Sequence, residues 1–128
     1  MRYLALDVGD RTIGLAVGEE TFGLARSLRT IRRRGVAADL AAIREIVEQE
    51  DVGALVIGLP LTLAGESGHQ AERVRRFAES ARSLARPIEL VDERFTTAEA
   101  VRRGSADLDA GAAVVLLEDF FSERQRRR

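Results

Sequence analysis

The chain has no cysteine, no tryptophan and a single tyrosine among its 128 residues, and arginine supplies every basic side chain because lysine is absent. Without cysteine there is no disulfide framework, no thiolate zinc site and no cysteine nucleophile, which is compatible with a reducing compartment. With only Tyr3 and five phenylalanines, most of them at core positions of helices or strands, few rings are left to stack on unpaired bases. Any recognition of nucleic acid would go through backbone and shape. No apolar run approaches the roughly 20 residues of a membrane span, and Asp7 breaks the first apolar stretch too early for a secretory signal, so a cytoplasmic protein is expected. The formal net charge of -1 excludes bulk-charge coating of nucleic acid, so such binding must be local.

The length suits one core, and 45% hydrophobic with 32% charged residues suits a folded chain, so residues 1–128 are expected to form a single domain. The arginines gather at Arg32-Arg33-Arg34, at Arg73, Arg75 and Arg76, at Arg102-Arg103 and in the tail from Arg124. Taken singly, such runs are solvated surface as readily as binding sites.

Apolar runs over Arg2–Val8 and Ile13–Val17, joined by a turn at Gly9-Asp10, predict a hairpin, and Phe22–Leu28 a third antiparallel strand. Leu40, Ile43, Ile46 and Val47 recur at helical spacing over Val36–Gln49. Ala54–Gly58 has no polar side chain and reads as a strand covered on both faces. Ser67 with Gln70 has capping-box spacing at the start of a helix reaching about Leu84, and Ile88–Val91 reads as a fifth strand. Thr96 with Glu99 would open a short helix ending near Gly104, and a last helix would run from Asp109 to about Glu123, leaving the arginine-rich tail to fray. This order predicts an α/β chain with a mixed five-stranded sheet, three antiparallel strands followed by two parallel crossover strands, flanked by helices. It fits the ribonuclease H-like fold.

Within that frame Asp7 is the residue that asks for an explanation, because a carboxylate inside an apolar strand is costly to bury unless paired or bound to a cation. Asp92-Glu93 places acids at the end of the fifth strand. Asp109 lies one turn before Ala113 on the helix stripe formed with Leu116, Leu117 and Phe120, whereas Glu118 sits about 180° away and reads as solvent-facing. Three carboxylates converging from two strands and a helix would make an all-oxygen site suited to Mg²⁺ or Mn²⁺ and to phosphodiester hydrolysis. Each also has a plainer reading, Asp109 as a helix cap and Asp92 or Glu93 as a solvated strand end. His69, the only histidine, reads as a surface residue.

The segments Asp7-Val-Gly9-Asp-Arg11-Thr-Ile-Gly14, Gly58-Leu-Pro60-Leu, Asp92-Glu93-Arg94-Phe-Thr96-Thr97 and Asp109-Ala-Gly-Ala-Ala-Val resemble, in order, four motifs of the YqgF/RuvX family of Holliday-junction-resolvase-like proteins. The resemblance spans nearly the whole chain. It implies a metal-dependent endonuclease with Asp7, Glu93 and Asp109 as catalytic metal ligands, and Arg11 and Arg94 as phosphate contacts. It implies two substrates, four-way DNA junctions and the precursor of 16S ribosomal RNA, and cutting two strands symmetrically calls for a homodimer. Two other classes compete: a catalytically silent nucleic-acid-binding scaffold of the same fold, and an ATP-binding domain of the actin-like superfamily, which normally needs two such domains.

Overall fold

The computed structural model describes residues 1–60, 68–92 and 109–127, with the side chains of Asp109 and Ala110 outside that description. Strands β1 (Arg2–Val8) and β2 (Thr12–Glu19) form the expected hairpin, and the Gly9 amide closes its turn on the Thr12 carbonyl at 2.9 Å. β3 (Leu24–Ser27) and a two-residue β4 (Ile31–Arg32) both pair antiparallel with β2. Helix α1 (Val36–Gln49), β5 (Ala54–Leu59), α2 (His69–Ala81), β6 (Ile88–Asp92) and α3 (Asp109–Arg126) follow. The sheet order is β3-β2-β1-β5-β6, with β1, β5 and β6 parallel to one another.

Period-two alternation divides the sheet into two faces. Leu4, Leu6 and Val8 of β1, with Ile13, Leu15 and Val17 of β2, point toward α1 and α2. Tyr3, Ala5 and Ala16, with Ala54 and Val56 of β5, point toward α3, and the small residues on this face let Ala113, Leu116 and Leu117 approach closely. Gly18 has the same cause. A Cβ there would stand 2.5 Å from the Leu24 carbonyl and 3.1 Å from the Phe121 ring.

The sheet has six strands where the sequence predicts five, because the outer strand is broken. Ala16 faces Ser27, yet Ile13 faces Ile31, so the partner slips by one residue between the two pairs. Leu28 still donates to the Leu15 carbonyl at 2.8 Å. Arg29 and Thr30 therefore stand together opposite Gly14, which is a β-bulge. The third strand is also shorter than the expected Phe22–Leu28, since Gly23 takes a φ of 69° in the turn and leaves Phe22 exposed.

Two helix ends differ as well. α2 begins at His69 with Gly68 at its N-cap, and Ser67, the first residue of the expected capping box, lies outside the described residues. α3 continues to Arg126, three residues beyond the expected end, because Arg126 and Arg127 pair with Glu123 on the helix surface instead of fraying. The short helix expected from Thr96 to Gly104 lies outside the described residues.

Candidate active site

Asp7 stands near the C-terminal end of β1, only 8% exposed, on the face that α3 covers. Its row across the sheet consists of glycine on both sides. Gly14 is its partner in β2, and Gly58 follows Ile57, the β5 partner of Leu6. No neighbouring side chain in that row crowds the carboxylate, and beyond Gly58 comes its partner Val91 in β6.

Helix α3 runs back over this face, opposite in direction to β1. Tyr3, at the start of β1, meets the rings of Phe120 and Phe121 at 5.3 and 5.7 Å between centroids. From there Asp7 lies about 13 Å further along the strand at roughly 3.3 Å per residue, and the start of α3 about 16 Å back along the helix at 1.5 Å per residue. The backbone of the first turn of α3 is thus brought to the Asp7 end of the sheet.

Of the other residues expected at the site, Glu93 and Arg94 lie outside the described residues, and so does the side chain of Asp109. Asp92 closes β6 opposite Leu59, on the α1–α2 side of the sheet, exposed and away from the Asp7 face. Arg11 is exposed in the β1–β2 turn at the Asp7 end and has no ionic partner among the described residues. His69 is exposed at the start of α2, as its surface reading requires. Among the described residues no three His, Cys, Asp or Glu side chains are grouped to hold a metal ion. The donor at hand is a buried carboxylate in a chain with no thiol, which fits a hard divalent cation held by oxygen.

Glu118 departs from the solvent-facing expectation. Its Oε2 accepts the Ala25 backbone amide at 3.0 Å and so ties α3 to the outer strand. The buried stripe is wider than the spacing of Ala113, Leu116, Leu117 and Phe120 suggested, since it also includes Ala112 and Phe121, and the flank that carries Glu118 leans over β3.

Sequence reasoning missed Asp39 and the role of Arg33. Asp39, 1% exposed in the first turns of α1, accepts Arg33 Nε at 3.1 Å and the Arg34 amide at 2.9 Å. Arg33 also donates to the Gly9 carbonyl at 3.0 Å and lies over the Phe77 ring at 5.3 Å. This one guanidinium fastens the turn after Asp7 to both α1 and α2. Gly35, with a φ of 119° that disfavours any side chain, turns the chain so that Asp39 can face back. An acid three residues inside a predicted helix, following an arginine run, was the available signal. Asp39→Ala leaves that guanidinium without its carboxylate; since Arg33 is 21% exposed and recovers some water, the expected loss is about 2–3 kcal/mol of unfolding free energy, measured by urea titration.

Comparison with known proteins bears on this arrangement. The family profile of RuvX, described as Holliday junction resolvase, matches residues 1–123. A Moorella thermoacetica protein named "Putative pre-16S rRNA nuclease" is 43% identical over 129 aligned positions, which cover 100% of this chain and 84% of that protein. An Anaeromyxobacter protein of the same name is 40% identical, with 97% and 98% covered. Among solved structures, Thermus thermophilus RuvC superposes with a TM-score of 0.63 at 15% identity, covering 98% of this chain and 97% of that one. The same protein in complex with a Holliday junction gives 0.61 at 16%, with 98% and 96% covered. At such identities the likeness shows the fold, which is ribonuclease H-like as the strand order predicts, while the matches in sequence show that the chain belongs to the RuvX family of nucleases.

Proposed function

We propose that the chain is a metal-dependent endonuclease that hydrolyses phosphodiester bonds in structured nucleic acid, with Asp7, Glu93 and Asp109 holding Mg²⁺ or Mn²⁺ and Arg11 and Arg94 contacting phosphates. The observation that carries this reading is Asp7, a carboxylate almost wholly withdrawn from water between two glycines, at the end of the sheet to which the first turn of α3 returns. A carboxylate so withdrawn attracts a cation more strongly than one in water. The ions, when bound, supply an activated water and neutralise charge on the leaving oxygen. The protein's own part is to hold acids of like charge close together and to orient the backbone. Arg11 suits the second task because its guanidinium has no ionic partner among the described residues and stands in the turn that follows β1, and guanidinium forks match phosphate oxygens.

The 16S rRNA precursor is the first substrate to test, because relatives at about 40% identity, matched over most of their length, bear that name, and acting on it would call for a cytoplasmic protein. The four-way junction named by the family description is the second, and it asks for a two-fold dimer. The test is cleavage of labelled 16S precursor RNA and of a four-way DNA junction side by side, in Mg²⁺, in Mn²⁺ and in chelator. Metal-dependent cutting of one of them is the expected result and identifies the substrate. No cutting of either in any metal replaces this reading with the silent-scaffold alternative.

A further inference from the structure

The described arginines differ in one respect that charge counting hides: most of them are already engaged. Arg2 and Arg26 share Glu50, Arg73 is paired with Asp10, Arg75 with Glu72 and Arg82 with Glu79. Arg44 and Arg86 bond backbone carbonyls, and the C-terminal arginines up to Arg127 pair with Glu20 or Glu123. Among the described residues the guanidinium groups left without a partner belong to Arg11, Arg29, Arg32, Arg34 and Arg76. Three of these five stand on or next to the outer strand. The stretch from Ala25 to Ala38 holds five arginines and no acid, in a chain whose net charge is -1.

Register then separates these arginines by face. Ile31 packs toward α1 and α2, so Arg32 points to the other side, the side of Asp7, and its β2 partner Thr12 lies on that side too. Ala25 packs against the α3 core, and Arg29 follows it at even spacing. The bulge puts Arg29 directly across Gly14 from Asp7. Along that row the sheet residue between Asp7 and Arg29 is Gly14, and along the next Thr12 precedes Arg32. Two strand spacings make the separation from Asp7 to the bulge about 10 Å between backbones. That is about the axial rise of three base pairs of duplex at 3.4 Å each.

We infer that Arg29 and Arg32 form a phosphodiester-backbone site, built by the bulge in the outer strand, which seats the nucleic-acid strand a few nucleotides from the bond presented to Asp7. The inference rests on the nuclease reading for its purpose but not for its test. A bulge is a common device for re-aiming side chains beside an active site, and here it turns an otherwise pairing-competent sheet edge into a charged one. Both side chains are exposed and bond nothing among the described residues, so their removal does not disturb folding.

The test is binding of a labelled four-way DNA junction and, separately, of 16S precursor RNA in chelator, where no cleavage occurs, across a series of salt concentrations. Relative to the intact chain, Arg29→Ala/Arg32→Ala is expected to weaken binding by about tenfold or more and to reduce the slope of log K against log[salt] by about 1.4–1.8, at about 0.7–0.9 for each of the two phosphates no longer neutralised. Arg29→Lys/Arg32→Lys should keep most of the slope. Arg76→Ala, an equally free arginine on α2, should change neither, and Asp7→Asn should leave the slope intact while affecting cleavage alone. The substrate whose slope responds identifies the strand that is seated. Unchanged slopes for both substrates in the double alanine variant, or an equal loss in Arg76→Ala, would overturn the inference even if the chain cuts; a changed slope in a chain that cuts nothing would sustain the site and remove only the nuclease reading.

Discussion

Asp7→Asn should abolish cleavage, by about 10³-fold or more, while leaving the chain folded. Asparagine has nearly the same shape as aspartate, so the row formed with Gly14 and Gly58 is undisturbed. What is lost is one negative charge from a site that must hold divalent cations, an interaction of several kcal/mol in the transition state, at about 1.4 kcal/mol for each tenfold in rate. Stability should change little. At 8% exposure an ionised carboxylate carries a desolvation cost that the neutral amide largely avoids, and this offsets the protein contacts the carboxylate gives up, so in chelator the variant should melt within a few degrees of the parent. With Mn²⁺ added, the parent should gain stability by mass action, about 2.7 kcal/mol at a hundredfold excess over the dissociation constant, and the variant little. Thermal melting with and without Mn²⁺, beside cleavage rates, separates the outcomes. A variant that cuts at the parental rate would make Asp7 a structural acid, and one that melts far below the parent in chelator would mean that protein partners, more than a cation, hold its carboxylate.

Much of this fold is written plainly in residue patterns. The two faces of β1 are legible because Leu4, Leu6 and Val8 alternate with Tyr3, Ala5 and Asp7, and β5 because a run without polar side chains needs cover on both faces. The extent of α1, Val36–Gln49, follows from its apolar stripe, and the parallel strands follow from the lengths of the crossovers. Local patterns fail where one residue changes a register. Nothing around Arg29 and Thr30 announces a bulge, since it exists only in the mismatch between Ser27–Ala16 and Ile31–Ile13.

For the site the division is similar. Asp7 is legible because a lone acid in an apolar strand conflicts with its surroundings, and its burial between glycines is what that conflict foretold. Asp92 could not be separated from Glu93 by sequence, since adjacent strand residues differ only in face; the pairing with Leu59 puts Asp92 on the α1–α2 side. Arg33 was indistinguishable from Arg32 and Arg34 in a run of three. Its engagement depends on Asp39, Gly9 and Phe77, brought together by three separate elements.

Phe121→Ala should produce the largest loss of stability, because this ring is what seats α3 on the sheet. It is fully buried and packs against Tyr3 and Phe120 at centroid distances of 5.7 and 6.0 Å, and Gly18 has no side chain where the ring comes down. Truncating a buried phenylalanine costs about 3–5 kcal/mol through reduced burial and the cavity left behind. The backbone around Gly18 is fixed by β3 pairing, so the site has little freedom to collapse, and the upper half of that range is expected. At roughly 4 °C per kcal/mol for a chain of this size, the melting temperature should fall by about 16–20 °C. Catalysis should respond differently. The first turns of α3 have buried residues of their own, Ala112, Ala113 and Leu116, so cleavage per folded molecule well below the transition should stay within a few-fold of the parent. A rate that collapses while the chain is still folded would mean that the far end of α3 sets the position of its start, and that the helix moves as one rigid lever over the Asp7 end of the sheet.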